Sequence, residues 1–214
     1  MSSNIYKKQA YETLAGTVIK ALEKRGMEGH YYPTGKECLE AILAMIPHNS
    51  TVAWGGSESI KEIGLLDAIK NGPYEAIDRA TATSYEESRA LFAKAVISDY
   101  YLMSTNAITQ DGILVNIDGA GNRVACMIHG PENIIMVVGM NKMTTNTEEA
   151  INRVHSKAAP PNVKRLNKQS PCNATGICGD CLSPDCICAH TVITRFCRQK
   201  NRIKVFLVGE DLGY

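Results

Sequence analysis

Five cysteines lie within seventeen residues near the carboxyl end of the chain, in the stretch PCNATGICGDCLSPDCICAH. The pair Cys178-x-x-Cys181 is typical of metal sites, because two intervening residues let one turn aim both sulfurs at one centre. Cys172 and either Cys186 or Cys188 would complete a set of four thiolates. Soft thiolate ligands favour an iron–sulfur cluster or zinc and exclude magnesium and calcium. The spacing alone does not distinguish the cluster from zinc.

Three other interpretations of this cysteine cluster are less favoured. Disulfides need an oxidising compartment, and the sequence begins without the apolar core of a signal peptide. A thioredoxin-like dithiol needs a helix that starts after a strand, whereas this stretch is irregular. Thiols without a ligand would be open to oxidation at such density. We therefore expect a metal site.

A glycine turn provides the first candidate binding site for an anion. The segment TVAWGGSES is an apolar strand that ends in Gly55, Gly56 and Ser57 and precedes a helical pattern. Backbone N–H groups of such a turn attract a phosphate or a carboxylate. Glu58 follows the turn and is a weak candidate for a nucleophile or base, the alternative being an ordinary carboxylate at a helix start.

Polar residues are dense at the ends of the apolar runs that follow, in TNAITQDGILVNIDGAGNRVA and VVGMNKMT. Ligands of open α/β sheets collect at the carboxyl ends of strands, so these residues are candidates for binding an anion. The candidates are Asn106, Thr109, Asp118, Gly119, Asn122, Arg123, Asn141 and Lys142. Arg123 would either pair with a carboxylate or form an ion pair with Asp118, and Asp118 is a second weak catalytic candidate. A third glycine is missing after Gly119-x-Gly121, so no nicotinamide site is expected.

The composition of the chain limits its partners. It has 214 residues and a net charge of +1, so no long-range field favours nucleic acid or an anionic membrane. No apolar stretch approaches the roughly 20 residues needed to cross a bilayer. We expect a cytoplasmic protein with one domain over 1–214, in which 158–190 is a cysteine-rich metal-binding loop.

Strands and helices alternate in the first half, which predicts a parallel sheet covered by helices. A helix is predicted over 4–25. Four apolar runs after residue 99 are predicted as closely spaced strands, including RVACMIHG at 123–130. A helix follows with Thr147 as its N-cap, and 158–182 is predicted to lack secondary structure of its own. The tail after 190 is predicted to hold two strands around a polar turn.

Four separated motifs carry a resemblance to a known family: WGGSESIKEIGL, TNAITQDGILVNIDGAGNRVA, IIMVVGMNK and IKVFLVGEDLG. Together they resemble the lactate utilization (LUD) domain proteins. The cysteine stretch is similar to the PC…GxCxDCxSPxxIC tail of solitary members, which implicates Cys172, Cys178, Cys181 and Cys188 as ligands. Cys186 departs from that pattern, in which an arginine is usual, so a second thiol competes for the fourth ligand position.

The resemblance implies an α/β fold similar to sugar-phosphate isomerases and coenzyme A transferases: a Rossmann-like, mostly parallel sheet flanked by helices, with a smaller β-rich lobe. It also implies a role in the oxidation of lactate to pyruvate. We therefore expect an oxidoreductase or electron-transfer component of 2-hydroxy-acid metabolism with an iron–sulfur cluster of the 4Fe-4S type. The alternatives, both with a structural zinc, are an acyl-coenzyme A or sugar-phosphate transferase or isomerase, and a non-catalytic ligand-binding subunit. Expected partners are a small anionic metabolite (a carboxylate or phosphate), a redox partner protein and further copies of the chain.

Overall fold

The computed structural model describes residues 5–214, which form a six-stranded sheet and a smaller four-stranded sheet. The strands are β1 Glu28–Tyr32, β2 Thr51–Trp54, β3 Glu75–Ile77, β4 Tyr100–Met103, β5 Ala107–Thr109, β6 Leu114–Asp118, β7 Asn133–Gly139, β8 Met143–Thr144, β9 His190–Thr194 and β10 Ile203–Val208. The α-helices are α1 Ile5–Lys24, α2 Gly35–Met45, α3 Glu58–Glu62, α4 Leu65–Asn71, α5 Tyr85–Val96, α6 Asn122–Ile128, α7 Thr147–Arg153, α8 Ala159–Arg165 and α9 Pro171–Thr175. A π-helical segment, Val154–Ala158, joins α7 to α8.

The large sheet has the order β1-β10-β7-β4-β2-β3, and every neighbouring pair is parallel. Helices α1, α5 and α6 pack on one face, and α2, α3 and α4 pack on the other. Strand β7, NIIMVVG, is apolar along its length because helices cover both of its faces. The Rossmann-like sheet expected from the sequence is confirmed.

The small sheet has the order β8-β5-β6-β9 and mixes parallel and antiparallel pairs. Its core joins strands β5 and β6 to helix α7 and the π-helical segment through Ala107, Val115, Ala150 and Val154. This is the smaller β-rich lobe that the resemblance implied. Strands β9 and β10, adjacent in the tail, belong to different sheets, so the chain passes from the lobe back to the large sheet between them.

The predicted strand at 123–130 is wrong, because this run forms helix α6. Gly121 starts the helix with a φ of +78°, a left-handed conformation that glycine adopts without strain. Val124, Cys126 and Met127 are buried by the helix, although the run is apolar enough to have suggested a strand. A short apolar run does not by itself distinguish a buried helix from a strand.

Two further predictions about local structure need correction. The N-cap of α7 is Asn146, whose side-chain oxygen accepts a hydrogen bond from the backbone N–H of Glu149 at 2.9 Å, and Thr147 is the first helical residue. The segment 158–182 contains α8 and α9, so it does have secondary structure of its own. Both helices carry proline in their first turn, where the missing N–H is not needed.

Helix α1 matches the predicted helix over 4–25, although its predicted first residue, Asn4, lies outside the described residues. No helix within residues 5–214 is long and apolar enough to cross a membrane.

Arg202 supports a testable prediction about stability. Its buried guanidinium donates hydrogen bonds to the backbone carbonyls of Pro131 and Met127 at 2.8 Å and of Cys126 at 3.0 Å, and so ties the start of β10 to the end of α6. Arg202→Met would leave three carbonyls without donors and should lower the free energy of unfolding by about 3 kcal/mol, measured by urea denaturation. The exposed Arg198→Met is the matched control. Equal effects of the two substitutions would contradict this role.

Candidate functional site

A cavity of about 510 Å³ lies at the carboxyl ends of β2, β4 and β7, between the large sheet and the small lobe. The site residues predicted from the sequence that line this cavity are Gly56, Ser57, Glu58, Asn106, Asp118, Gly119, Asn122, Arg123 and Lys142. Strand topology brings them together, because each follows a strand whose carboxyl end faces the cavity. We call this the anion cavity.

Gly55 lies beneath the wall of the anion cavity and does not line it. A Cβ at this position would lie 2.8 Å from Cγ of Arg123 and 3.0 Å from the hydroxyl oxygen of Tyr101. Gly55 is therefore required by close packing, since any side chain would displace the arginine.

Thr109 and Asn141 lie away from the anion cavity. The Thr109 hydroxyl donates to the carboxylate of Asp111 at 2.5 Å, in the turn between β5 and β6. The side-chain oxygen of Asn141 accepts from the backbone N–H of Leu212 at 3.1 Å, and its amide N–H donates to the carbonyl of the same residue at 3.4 Å. Thr109 therefore stabilises the turn between β5 and β6, and Asn141 stabilises the contact between the end of β7 and the C-terminal segment.

Arg123 is buried, and its hydrogen bonds account for all five guanidinium N–H groups. The acceptors are Asp118 Oδ1 (3.4 Å), Ser104 O (3.1 Å), Asn116 Oδ1 (2.6 Å), Asn106 Oδ1 (2.9 Å) and Ile117 O (3.1 Å). No N–H group of this guanidinium is left for a ligand. Arg123 shapes the cavity wall and forms the ion pair with Asp118 that the sequence suggested as the alternative.

Asp118 and Asn122 are also held by protein contacts. The carboxylate of Asp118 accepts hydrogen bonds from the backbone N–H groups of Arg123 (3.2 Å) and Val124 (3.4 Å) and so caps helix α6. The side-chain oxygen of Asn122, in the orientation that satisfies the amide, accepts from both terminal nitrogens of Arg79. These contacts fix the turn between β6 and α6.

Lys142 differs from the arginines because its partners leave its charge uncompensated. Its Nζ lies 2.7 Å from the hydroxyl of Ser59 and 3.0 Å from that of Ser104, and the residue is 4% exposed. Among the described residues, no carboxylate lies within ion-pair distance of this amine. Burial, followed by the positive charges of Arg153 and Arg123, lowers the pKa of Lys142 to about 7.

The mouth of the anion cavity carries paired charges. Arg165 lies 3.5 Å from the carboxylate of Glu58, and Lys168 lies 3.3 Å from that of Asp185. A hydrogen bond from the backbone N–H of Gln169 lowers the pKa of the Asp185 carboxyl group. Lys168 has a smaller effect in the same direction. Both cations can reorient towards a ligand because they are half-exposed.

A second, smaller cavity of about 40 Å³ is lined by all five clustered cysteines. They are Cys172, at the start of α9, and Cys178, Cys181, Cys186 and Cys188 in the irregular segment before β9. The π-helical segment adds His155, whose Nδ1 lies 3.2 Å from the sulfur of Cys178. We call this the thiol pocket.

The electrostatics of the thiol pocket disfavour free thiolates. Burial raises the pKa of Cys188 to about 12, and the nearby thiols of Cys186, Cys178, Cys172 and Cys181 contribute in the same direction. Burial also raises the pKa of Cys186, as does its contact with Cys181, against a hydrogen bond from the backbone N–H of Cys188 at 3.3 Å. A metal ion in the pocket would favour the thiolates instead, because it deprotonates the thiols that coordinate it.

The thiol pocket is not a closed site for a single ion. Within residues 5–214, no group of three or more His, Cys, Asp or Glu side chains is arranged to hold a metal ion. A single zinc would need every sulfur about 2.3 Å from one point. The chemistry of the five thiol donors nonetheless fits a soft metal centre, and they border one cavity.

The two cavities share a wall. Cys186 and Ile187 line both of them, so the thiol pocket and the anion cavity lie on opposite sides of the same piece of chain. Gly119 permits this contact, because a Cβ there would lie 3.2 Å from Cα of Ile187 and 3.6 Å from the carbonyl oxygen of Cys186. A group bound by the thiols would therefore be adjacent to a ligand in the anion cavity.

The remaining cysteines and His190 lie outside the thiol pocket. Cys38 and Cys126 are buried in the core, and Cys197 is buried with its sulfur donating to the carbonyl of Gln199 at 3.1 Å. His190 begins β9 and packs against Gly121.

Sequence reasoning missed the residues that carry no local pattern. They are Ser59, Ser104, His155, Arg165 and Lys168. Lys142 was included, but its lack of an acidic partner is a property of the folded chain. The π-helical segment that places His155 is often found at functional sites, and the sequence gives no sign of it.

A Rossmann-like sheet with a small lobe, an anion cavity and a thiol pocket defines the class of protein. Residues 16–208 match the LUD domain, and the chain belongs to the LUD-domain family. Membership links the chain to lactate utilization, for which the domain is named. A crystal structure of a DUF162 family protein from Deinococcus radiodurans is similar in fold, with a TM-score of 0.56 and 12% identity over 92% of this chain and 98% of that chain. No curated protein matches the chain.

The hydrogen bonds of Arg123 predict that it is required for stability. Arg123→Lys offers three donors where five are used, so at least two buried acceptors would lose their partners. We expect the free energy of unfolding to fall by about 2 kcal/mol in urea denaturation. Arg165→Lys, at the cavity mouth, is the control and should change stability little. Unchanged stability of Arg123→Lys would show that its guanidinium does not hold the wall.

The burial of Lys142 predicts a pH-dependent stability difference. Folding lowers its pKa from 10.5 to about 7, so the unfolded chain binds more protons between these values and the wild type gains stability as pH rises. Lys142→Met should therefore be most stabilised relative to the wild type below pH 7. The difference should shrink by up to about 1 kcal/mol per pH unit above pH 7. Denaturation series from pH 6 to 9 would measure it, with the exposed Lys36→Met as control. A difference that does not change with pH would contradict a buried, uncompensated amine.

Proposed function

We propose that this chain is an oxidoreductase or electron-transfer component of lactate or related 2-hydroxy-acid utilization, in which the thiol pocket holds an iron–sulfur cluster of the 4Fe-4S type. The observation that carries the proposal is the wall that the two cavities share, formed by Cys186 and Ile187. Electron transfer needs a redox group next to a substrate site, and this wall supplies that adjacency. Membership of the LUD-domain family supports the metabolic process.

Cys172, Cys178, Cys181 and Cys188 are the proposed cluster ligands. Cys188 is the proposed fourth ligand because it matches the cysteine tail of the family, from which Cys186 departs. Cys186 also lines the anion cavity and becomes the spare thiol on the shared wall. When bound, the cluster would supply one-electron transfer, with a reduction potential set by hydrogen bonds and burial around its sulfurs.

The anion cavity is the proposed site for a small carboxylate or phosphate. Its volume of about 510 Å³ falls within the usual range for small-molecule sites. Lys142 supports an anionic ligand because it is a buried amine without an acid partner, and Ser59 and Ser104 orient its Nζ. Arg165 and Lys168 add positive charge at the mouth. Arg123 holds the wall and is a positioning residue in this proposal.

Neither candidate carboxylate is assigned a proton-transfer role. Glu58 contacts Arg165 and Lys61, at 3.5 and 3.8 Å, and Asp118 caps α6. Both carboxylates are engaged in contacts within the protein that stabilise their surroundings.

The proposed cluster requires a partner protein to exchange electrons. Ile177 and Leu182 flank the Cys178–Cys181 pair and are exposed, Leu182 fully. Exposed apolar side chains beside a redox group fit a transient docking surface. This edge of the thiol pocket is the proposed exit for electrons.

Anaerobic purification tests the cluster directly. The protein, isolated and reconstituted with iron and sulfide in the absence of oxygen, should contain about four irons and four sulfides per chain and show the visible and electron paramagnetic resonance spectra of that cluster. Cys178→Ser should lose most of the bound iron. Cys197→Ser is the matched control, because this buried thiol lies outside the pocket. Stoichiometric zinc without iron after anaerobic preparation would reject the redox assignment and leave a structural metal.

A further inference from the structure

We propose that ligand binding in the anion cavity is coupled to the uptake of one proton by Lys142. The inference deepens the proposed function and rests on it, because it concerns the same cavity and the same class of ligand. It assigns Lys142 as the residue that selects anions over neutral analogues.

The first argument is the position of the amine. Nζ of Lys142 is at the cavity wall, between the hydroxyls of Ser59 and Ser104 at 2.7 and 3.0 Å, and only 4% of the residue is exposed. Hydroxyl oxygens can accept a hydrogen bond from either an amine or an ammonium, so the two serines hold the nitrogen in both protonation states. The site therefore keeps its geometry when the proton arrives.

The second argument is the charge around the amine. Arg153, on α7, and Arg123, on α6, are the cations that face it, and both disfavour a positive charge on Lys142. Glu62, on α3, acts in the opposite direction as a weaker influence, and its carboxylate accepts the backbone N–H of Gly213 at 2.7 Å. The surroundings are thus positive on balance, and burial lowers the pKa of Lys142 to about 7.

The remaining charged groups that line the cavity are engaged elsewhere. Glu58 contacts Arg165, Asp118 caps α6, and Lys168 contacts Asp185. Among the described residues that line the cavity, no carboxylate lies within ion-pair distance of an ammonium at position 142. An incoming carboxylate would supply the missing negative charge beside a buried amine, and an opposite charge nearby favours the protonated form.

The proton balance of the step is simple. The neutral amine of Lys142 takes one proton from solvent and becomes an ammonium, which donates an N–H to an oxygen of the ligand. No bond of the ligand breaks, and nothing is oxidised or reduced. The anion and the proton on Lys142 enter the site together, so binding adds no net charge to the buried site. A neutral analogue of the same shape gains none of this energy and should bind more weakly.

The coupling makes affinity depend on pH in a defined direction. Below pH 7 the amine is already protonated, so binding takes up little proton. Above pH 7 each bound anion should take up about one proton, and affinity should fall about tenfold for each further pH unit. Lactate and pyruvate are suitable probes, because their own carboxyl groups have lost their protons well below this range.

Calorimetry on the full-length protein tests the coupling. L-lactate and pyruvate are titrated at pH 6 and pH 8.5 in pairs of phosphate-free buffers that differ in ionisation enthalpy, and lactamide serves as the neutral analogue. We expect uptake of about one proton at pH 8.5, little at pH 6, and no measurable binding of lactamide. A shift of the Lys142 Cε resonance on ligand binding, in lysine labelled with carbon-13, gives a second measurement that needs no substitution.

Three variants separate the possible causes. Lys142→Arg keeps a positive charge at every pH tested and should bind lactate at pH 8.5 without proton uptake. Lys142→Met should lose at least tenfold in affinity at pH 6 together with the pH dependence. Lys36→Met, an exposed lysine on α2, should behave as the wild type.

The outcomes distinguish this inference from the proposed function. Binding of lactate or pyruvate at pH 6 and 8.5 with equal affinity and no proton uptake would overturn the coupling and leave the anion site intact. Proton uptake that persists in Lys142→Arg would assign it to another group and also overturn the inference. No binding of either probe at pH 6 would reject the cavity as a site for small 2-hydroxy or 2-oxo acids, and the coupling with it.

Discussion

The hydrogen bonds of one buried arginine set the geometry of this end of the molecule. Arg123 links the ends of β4 and β6 and the side chain of Asn106, because its five N–H groups reach acceptors on all of them. The aliphatic part of the Arg123 side chain passes so close to the end of β2 that only glycine fits at position 55. The large sheet and the small lobe are thereby joined at the anion cavity. A guanidinium with this many acceptors stabilises the protein only in its native position. The wall of the anion cavity therefore has one defined arrangement.

The cysteine-rich segment depends on the same region for its order. It is anchored before the thiol pocket by α8 and α9 and after it by β9, whose first residue, His190, lies opposite Asp118 of β6. Asp118 is also an acceptor of Arg123, so the arginine and the cysteine segment meet at the end of one strand. Gly119 then lets Cys186 and Ile187 pack directly on that strand end. The shared wall of the two cavities follows from these contacts.

Local patterns in the sequence predicted most of the large sheet, and failed where tertiary contacts decide. Apolar runs between turns gave β4 and β7 because buried strands of a parallel sheet are apolar on both faces, and a similar run gave β6 of the small sheet. The run of α6 has the same composition and forms a helix, because Asp118 caps it and Gly121 begins it. Nine of the candidate residues predicted from the sequence line the anion cavity. The sequence could not show that the donors of Arg123 are all used, since its acceptors come from two separate segments, 104–106 and 116–118.

The contrast between the buried or partly buried cations is informative about function. Arg202 and Arg153 donate to backbone carbonyls, and Arg123 donates to carbonyls, amides and a carboxylate. Each of these contacts ties elements together, so stability alone explains why the charge is buried. The amine of Lys142 contacts only two hydroxyls, which could form hydrogen bonds with other neighbours without it. Burial also disfavours the charged form of Lys142. A group that makes the fold less stable and faces a cavity is more readily explained by ligand binding than by structure. In the proposed function the amine and the thiol pocket serve one site: the first would hold the anion, and the second lies within one chain segment of it.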